Sequence, residues 1–437
     1  MKKHILILLI IISAFTVKSQ PLYFPPLVGT TWDTTSIVSL GWCKDKVDTL
    51  LDYLGRKNTK AFILLKNGKI VIEKYYGTFT QDSVWYWASA GKTLTAFTVG
   101  IAQQEGHLSI NDTTSDYLGT GWTDCTPQQE EKITIRHQLT MTSGLDDGVP
   151  DHYCTLDTCL QYKADPGTRW AYHNGPYTLL DGVVQNATGQ TLNAYYTQKI
   201  KNPTGISGIF LPSGYNNVFY SKPRSMARFG LLILNKGNWN GNQIMTDTAY
   251  FNQMTTTSQQ LNKSYGYLWW LNGKQSYMVP GLQLVIPGYV NPAAPADMIA
   301  ALGKNGQFIN VVPSQKLVFI RMGNAPGVGE VPFLMNDTIW QKLNDVMCNS
   351  SSINNKPILE NDLKIYPNPS QSFCTIELPN QTFTISIFDL MGRLVYEKNN
   401  VSNKIMVDTK NFCEGVYSVR VQSPNSRIYT KKLVVTK

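Results

Sequence analysis

Apolar runs of two different spacings predict a mixed α and β fold. The segment "AFILLKNGKIVIEKYYG" has two such runs around Asn67-Gly68, a dipeptide that favours a tight hairpin turn, so it predicts two paired strands. Other short apolar runs predict late strands at about 298–302, 308–312 and 316–322.

Helical spacing dominates the chain between these early and late strands. The predicted helices lie at about 44–54, from Ser89 onward, within "KITIRHQLTMTSGL", in "PYTLLDGVVQNATG" up to Gly189, in "PRSMARFGLLILNKG" up to Gly237, and in the closing "PFLMNDTIWQKLNDVM". The early and late strands must therefore pair across a helical insertion. The expected fold class is α/β of the α+β kind, an antiparallel sheet flanked by helices with a large helical insertion.

The composition changes near the end of the chain. Ser, Asn and Pro dominate "CNSSSINNKPILEND", which predicts a linker. Short alternating runs follow, such as "FTISIFDL" and "GVYSVRVQ", and predict a small β-sandwich. The expected domains are a large domain at 20–347, a linker at 348–359 and a small domain at 360–437.

The first twenty residues, "MKKHILILLIIISAFTVKSQ", have two lysines, an apolar run and then small or polar residues. This layout predicts a secretory signal peptide at 1–19, and a retained membrane anchor is the alternative. The chain is 42% hydrophobic and 16% charged, which suits a large buried core. Its net charge of +9 includes three leader lysines, and no Lys/Arg run is interleaved with aromatic residues, so nucleic-acid binding has little support.

Seven cysteines in an exported chain make disulfides possible. Three candidate pairs follow from position in the sequence, although sequence alone leaves the connectivity open. They are Cys43 with Cys348 at the two ends of the large domain, Cys154 with Cys159 in "CTLDTC", and Cys374 with Cys413 in the tail. Cys125 is left over. The chain has no CxxC pair and no His/Cys spacing typical of zinc, so neither a metal nor another cofactor is expected.

The motif Ser89-x-x-Lys92 has two possible interpretations. On a helix, positions i and i+3 share a face, so Lys92 could take the Ser89 proton and make the serine a nucleophile. The helix N-terminus would then supply N–H groups for a developing oxyanion. Alternatively, Ser89 is an ordinary N-cap and Lys92 a solvated side chain.

Other segments favour the catalytic interpretation. In "PGTRWAYHNG", Tyr172 could relay protons and Asn174 could hold both the lysine and a substrate carbonyl, or both could be structural. A Gly-rich turn at "LGKNGQ" precedes a strand and allows close approach of a substrate to backbone N–H groups. The G-x-S-x-G elbow of another hydrolase class does not occur. His173 is expected to point away from its neighbours, so a Ser-His-Asp triad has no support.

Taken together, "SAGK", "TMTSGL", "PGTRWAYHNGPYTLL", "SMARFGLLILNKG", "YGYLWW" and "LGKNGQFINVVPSQKLVFI" resemble the serine β-lactamase-like hydrolases over about residues 40–345. This family includes class C β-lactamases, D-Ala-D-Ala carboxypeptidases, family VIII esterases and nylon-oligomer hydrolases. The resemblance implies Ser89 as the acyl-accepting nucleophile, Lys92 as its base and Tyr172 as the proton shuttle to the leaving group. The substrate-binding residues it indicates are Asn174, Gly303, Lys304 and Gly306, with oxyanion N–H groups from Ser89 and from the edge near Lys304.

The chain departs from this family at one motif. Where relatives have Lys-Thr-Gly or His-Thr-Gly, it has Ala301-Leu302-Gly303, and Lys304 comes one residue later. The cation that would bind the carboxylate of a β-lactam or peptide end is missing from that position, which favours an ester or linear amide substrate. Trp269 in "YGYLWW" could form the wall of an apolar substrate pocket or belong to the core.

The tail, with "IYPNPSQSFCTIEL" and "KKLVVTK", resembles a type IX secretion C-terminal sorting domain of the Bacteroidetes. This implies contact with the outer-membrane secretion machinery and a secreted or cell-surface location. The function expected is a secreted serine hydrolase acting on a small ester, amide or peptide. The alternatives are a β-lactamase or D-Ala-D-Ala carboxypeptidase, and a non-catalytic ligand-binding protein on the same fold.

Overall fold

The computed structural model describes residues 21–327, 331–348, 363–389, 393–422 and 428–436. Its contacts divide the chain into two units, residues 1–349 and 350–437. The predicted leader, and all of the predicted linker except Cys348, lie outside the described residues. No helix in the described ranges is long and apolar enough to cross a membrane.

The first unit contains the helices and most of the strands. Its α-helices are α1 (Val47–Arg56), α2 (Lys92–Gln104), α3 (Ser115–Leu118), α4 (Pro127–Glu130), α5 (Ile135–Leu139), α6 (Asn174–Thr178), α7 (Leu180–Thr188), α8 (Leu192–Tyr196), α9 (Asn202–Thr204), α10 (Pro223–Leu234), α11 (Thr248–Met254) and α12 (Phe333–Val346). Single 3₁₀ turns lie at Val38–Leu40, Lys44–Lys46, Ala88–Gly91, Asp157–Cys159 and Lys304–Gly306, and a π turn lies at Thr197–Lys201.

The strands of the first unit are β1 (Thr59–Lys66), β2 (Lys69–Tyr75), β3 (Trp85–Tyr86), β4 (Gly208–Ser213), β5 (Asn216–Ser221), β6 (Asn238–Trp239), β7 (Asn242–Gln243), β8 (Trp270–Leu271), β9 (Ser276–Tyr277), β10 (Ile286–Pro287), β11 (Ile299–Gly303), β12 (Gln307–Val312) and β13 (Leu317–Gly323). Six of them form the main sheet in the order β2-β1-β13-β12-β11-β8, with antiparallel neighbours throughout. The predicted early hairpin and its pairing with the late strands are confirmed.

Helices cover both faces of this sheet. Gly230 lets α10 approach β12 and β13, because a Cβ there would lie 2.5 Å from Val318 and 3.1 Å from Ile309. The Trp340 ring of α12 packs at 5.4 Å on Phe319, the neighbour of Val318 on β13. Successive strand residues point to opposite faces, so α10 and α12 lie on opposite sides. The predicted fold class is confirmed.

A second small sheet, in the order β3-β5-β4, lies within the stretch that the sequence analysis took as helical. The hairpin β4–β5 was not predicted and is a correction to that interpretation. In β4, only Phe210 is buried, and both Ile209 and Leu211 are exposed. The apolar residues of this strand therefore do not alternate with polar ones in the way that signals a half-buried strand.

Two of the three candidate disulfides are present, Cys43–Cys348 and Cys154–Cys159. The third prediction is wrong, because Cys374 and Cys413 are both free. Cys374 faces the core of the tail and is fully buried, whereas Cys413 is exposed, so the two thiols lie in different environments.

The tail forms an antiparallel sheet of β14 (Lys364–Tyr366), β15 (Phe373–Phe388), β16 (Leu394–Asp408), β17 (Gly415–Gln422) and β18 (Ile428–Val435). One face of these strands packs into a separate apolar core, which includes Ile376, Ile385, Val419 and Leu433. The small C-terminal β domain predicted from the alternating pattern is confirmed.

Candidate active site

Ser89 lies in the 3₁₀ turn that joins β3 to α2. The turn is fixed through Trp87, whose backbone N–H donates to the Phe219 carbonyl at 2.8 Å and whose indole N–H donates to the Ser221 hydroxyl at 2.8 Å. Ala88 has a φ of 47°, a left-handed conformation that costs a non-glycine residue about 1 kcal/mol. The α-helix begins at Lys92, three residues later than predicted, and Ser89 is not its cap. The N-cap interpretation of Ser89 is therefore wrong.

Lys92 is buried beside the serine, with 3% of its surface exposed. Its Nζ donates to Ser89 Oγ at 3.3 Å and to Asn174 Oδ1 at 2.7 Å. The same nitrogen lies 3.9 Å from the centroid of the Tyr177 ring and 5.3 Å from that of Tyr172. The fold thus brings together the four residues Ser89, Lys92, Tyr172 and Asn174 that the sequence analysis singled out.

Tyr172 and Asn174 reach the site from the segment that leads into α6. Ala171 donates its N–H to the Met141 carbonyl at 2.9 Å, and Asn174 is the first residue of the helix. The Tyr172 ring stacks on Trp270 with 6.0 Å between centroids. The Tyr172 ring also faces Lys92, whose Nζ lies over it.

His173 is 2% exposed, and neither of its ring nitrogens has a hydrogen-bond partner. Loss of hydration lowers the pKa of its imidazole to about 4. No hydrogen bond links it to Ser89, as the alternation of side chains along an extended segment predicts.

Two ionisable groups lie along the helices behind Lys92, at i+3 and i+7 from Asn174. Burial raises the pKa of Tyr177 well above its usual value, and the charge of Asp181 acts in the same direction. Burial also raises the pKa of Asp181 to about 7, against the opposing effects of a hydrogen bond from Asn217 and the charge of Lys92. Its surroundings therefore favour the neutral carboxyl more than water does.

The strand edge opposite Ser89 depends on Gly303. A Cβ there would lie 2.7 Å from the Trp87 carbonyl oxygen, 2.9 Å from Ala90 N and 3.1 Å from Ser89 N. Only glycine allows β11 to pass this close to the nucleophile turn, so Gly303 shapes the site through backbone contact.

A buried arginine holds the next turn, Lys304–Gly306. Arg321 is fully buried and donates to the carbonyl oxygens of Asn305 at 2.9 Å and Gly306 at 2.6 Å. Asn305 has a φ of 62° and donates from Nδ2 to the Tyr86 hydroxyl at 2.7 Å. Gly306 is therefore held against Arg321, it is not among the residues that line the cavity described below, and its role in substrate binding stays a prediction. Sequence reasoning missed Arg321 because an arginine inside a strand has no motif around it.

A cavity of about 380 Å³ opens over Ser89 and is called the Ser89 cavity below. Its lining residues are Tyr86, Ala88, Ser89, Lys92, Tyr153, Asn174, Tyr177, Ser213, Asn216, Asn217, Val218, Tyr220 and Lys304. Most of those that the sequence analysis missed come from the unpredicted hairpin β4–β5. The turn "PSGYNN" is the sequence signal that could have located this hairpin.

Trp269 does not line the Ser89 cavity, which corrects its assignment as a substrate-binding residue. It is fully buried, and its ring stacks on Phe229 of α10 with 6.1 Å between centroids. The core-packing alternative holds for this side chain.

Comparison with known proteins assigns two families along the chain. Residues 55–343 match the Beta-lactamase family and residues 364–436 match the secretion system C-terminal sorting domain. An uncharacterized protein of Alkalihalophilus pseudofirmus is 26% identical, over 65% of this chain and 88% of its own length. Protein flp of Staphylococcus aureus is 25% identical, over 37% of this chain and 36% of its own length.

Solved structures show the same fold at low identity. A penicillin-binding protein homolog from Caulobacter crescentus has a TM-score of 0.53 at 14% identity, over 71% of this chain and 99% of its own. A family VIII carboxylesterase has a TM-score of 0.51 at 16% identity, over 69% of this chain and 98% of its own. The match to the Beta-lactamase family spans more than half of the chain, and the tail of the chain matches the secretion sorting domain. The chain therefore belongs to the β-lactamase family, whose members are serine hydrolases.

Proposed function

We propose that the protein hydrolyses an ester or amide through an acyl intermediate on Ser89. The observation that carries this proposal is the placement of Lys92 Nζ, buried at 3.3 Å from Ser89 Oγ and held by Asn174 Oδ1 at 2.7 Å. A lysine removed from water loses part of the hydration that favours its charged form, which suits it to accept a proton.

In the first half of the reaction, Ser89 Oγ attacks the substrate carbonyl carbon while its proton passes to Lys92. The carbonyl oxygen becomes an oxyanion, which the backbone N–H groups of Ser89 and Lys304 stabilise by hydrogen bonds. The tetrahedral intermediate then breaks its bond to the leaving oxygen or nitrogen. Tyr172 delivers the proton from Lys92 to that atom, which leaves an acyl ester on Ser89.

In the second half, a water molecule attacks the acyl carbon and gives up a proton to the same base. The C–O bond to Ser89 breaks, the carboxylic acid departs and Ser89 regains its proton. No external oxidant, reductant or cofactor takes part.

Ester or linear amide substrates are favoured over β-lactams. The position of the family's Lys-Thr-Gly or His-Thr-Gly motif is Ala301-Leu302-Gly303, and both Ala301 and Leu302 are buried in the sheet. The second candidate function, a β-lactamase or D-Ala-D-Ala carboxypeptidase, rests on Lys304, which lines the Ser89 cavity and could bind a carboxylate. Hydrolysis of a chromogenic cephalosporin as fast as p-nitrophenyl acetate would favour that candidate.

We also propose that the sorting domain carries the protein through the outer-membrane secretion machinery to the surface or the medium. Its match over residues 364–436 supports this route. The export signal at 1–19 stays a prediction.

Covalent labelling with a fluorophosphonate probe, followed by peptide mapping, tests the catalytic proposal. We expect one adduct, on Ser89. Ser89→Ala should abolish it, and Lys92→Ala should slow labelling by about a hundredfold or more because the serine loses its base.

Ser213→Ala is the matched control, because Ser213 lines the same cavity and has no role in the proposed reaction. It should label at the wild-type rate. A folded protein that is not labelled and hydrolyses neither substrate would instead support the non-catalytic binding alternative.

A further inference from the structure

The segment between Leu145 and Leu160 forms one wall of the Ser89 cavity through Tyr153, and no step of the proposed reaction uses it. This segment, called the cysteine loop below, contains the Cys154–Cys159 disulfide. Its place beside the reacting serine raises the question of what it contributes.

The cysteine loop lies directly against the residue that follows Asn174. The Gly175 N–H donates to the His152 carbonyl at 3.0 Å. A Cβ at Gly175 would lie 2.4 Å from the Cys154 carbonyl oxygen and 3.0 Å from Leu160 Cδ2. The absence of a side chain at Gly175 therefore allows the loop to lie beside the amide that holds Lys92.

The disulfide fixes the backbone on the other side of Tyr153. Cys154 follows Tyr153 directly, is 2% exposed and is bonded to a cysteine only 5 residues along the chain. A covalent ring this small leaves few backbone conformations open. Tyr153 is thus placed between the hydrogen bond at His152 and the disulfide at Cys154.

The lining of the Ser89 cavity indicates which kind of substrate group this wall would meet. Four tyrosines line it, Tyr86, Tyr153, Tyr177 and Tyr220, together with three asparagines and two lysines, and no Asp or Glu is among the lining residues. Aromatic faces beside amides suit a planar group, and such a lining gives a cationic group no carboxylate to pair with.

We propose that Tyr153 contacts the substrate and determines specificity for a planar group without positive charge, such as an aryl ester or an amide, and that the Cys154–Cys159 disulfide holds Tyr153 in the binding position. This inference rests on the proposed hydrolase function and deepens it. Tyr153 and the disulfide contribute to substrate binding, whereas the bond-breaking steps stay with Ser89 and Lys92.

The test compares steady-state kinetics on p-nitrophenyl acetate for three variants of the cysteine loop and one control variant. Tyr153→Ala and the double substitution Cys154→Ser/Cys159→Ser should each raise KM by about fivefold to tenfold, with kcat within about twofold of wild type. Tyr153→Phe keeps the ring and should restore a KM close to wild type. Tyr153→Ala leaves the disulfide intact, so the test does not depend on the folding of the double variant.

The second disulfide provides the matched control. Cys43→Ser/Cys348→Ser removes a crosslink between residues 305 apart and should lower the melting temperature while leaving KM unchanged. Loop variants with wild-type KM, or with a loss in kcat alone, would overturn this inference while the hydrolase proposal stands. A wild-type protein that neither turns over the ester nor labels on Ser89 would overturn both.

Discussion

The side chains around Ser89 are affected more by their burial than by pairing with opposite charges. Lys92 contacts the amide oxygen of Asn174 and the ring of Tyr177. Asp181 lies in α7, about one helical turn beyond Tyr177, and its pKa is raised to about 7. In such surroundings, the cost of removing a charge from water largely decides which groups are ionised. Loss of hydration is therefore the main cause of the raised pKa of the Asp181 carboxyl.

His173 allows this effect to be measured without touching the reaction. Its pKa is about 4 in the folded protein and about 6.5 when unfolded, so the unfolded state binds more protons between these values. The imidazole thus makes the folded state progressively less stable as the pH falls from about 6.5 to about 4. We expect His173→Leu to remove on the order of 3 kcal/mol of this acid destabilisation.

Urea unfolding at a series of pH values between 4 and 8 checks this expectation. His107→Leu, at an exposed histidine, serves as the control for the substitution itself. If His173→Leu instead destroyed Ser89 labelling at pH 7 in a folded protein, a role for His173 in the reaction would have to be considered.

At the residue scale, the motif spacing predicted Ser89, Lys92, Tyr172 and Asn174, because each belongs to a short pattern with its own chemistry. Arg321 and Tyr153 could not be predicted in this way. Arg321 donates to carbonyl oxygens of a turn about 15 residues earlier in the chain, and Tyr153 lines the cavity from a loop that packs on Gly175. Contacts of this kind depend on tertiary placement, which no local pattern records.

At the scale of elements, the site is the meeting of β11 with the 3₁₀ turn of Ser89. This contact depends on Gly303, whose Cβ position lies 2.7 Å from the Trp87 carbonyl oxygen and 2.9 Å from Ala90 N. Backbone atoms cannot move aside in the way that the end of a flexible side chain can. We therefore expect Gly303→Ala to push strand and turn apart and to reduce the rate of Ser89 labelling by about tenfold or more.

Gly91→Ala is a matched control for this change, because Gly91 belongs to the same turn. A Cβ there would meet Phe219 Cβ at an ordinary 3.5 Å, and the residue has a helical φ of −66°. It should keep the labelling rate of wild type. Equal rates for Gly303→Ala and wild type would mean that the strand edge is not part of the reacting geometry.

The same scale explains why one wall of the cavity went unpredicted. The main sheet follows from long apolar strands, and the pairing of β1 with β13 joins the early hairpin to the late strands across the helical insertion. The hairpin β4–β5 contributes little to the core, so its sequence carries a turn signal at Ser213-Gly214 without a strong strand signal. Residues that line a cavity do not need to be apolar.

At the scale of the whole molecule, the two largest apolar cores among the described residues share no residue. The core of the first unit runs from Trp32 to Met347, and that of the tail from Leu363 to Val435. Each unit thus has the apolar core that a separately folding domain needs. The residues proposed for the reaction, Ser89, Lys92 and Tyr172, all lie in the first unit.

We therefore expect a chain of residues 20–349 to label on Ser89 at the full-length rate and to melt at the same temperature within a few degrees.

The decisive comparison is a chain that ends two residues earlier, at Met347. It lacks Cys348 and so cannot form the disulfide with Cys43, which joins the start of α1 to the end of α12. Loss of a crosslink across so long a loop should cost about 2 to 5 kcal/mol of unfolding free energy, while the labelling rate of the folded fraction stays unchanged. Calorimetry and labelling of the three chains measure both quantities. A chain of residues 20–349 that fails to fold would show that the first unit depends on the tail for more than export.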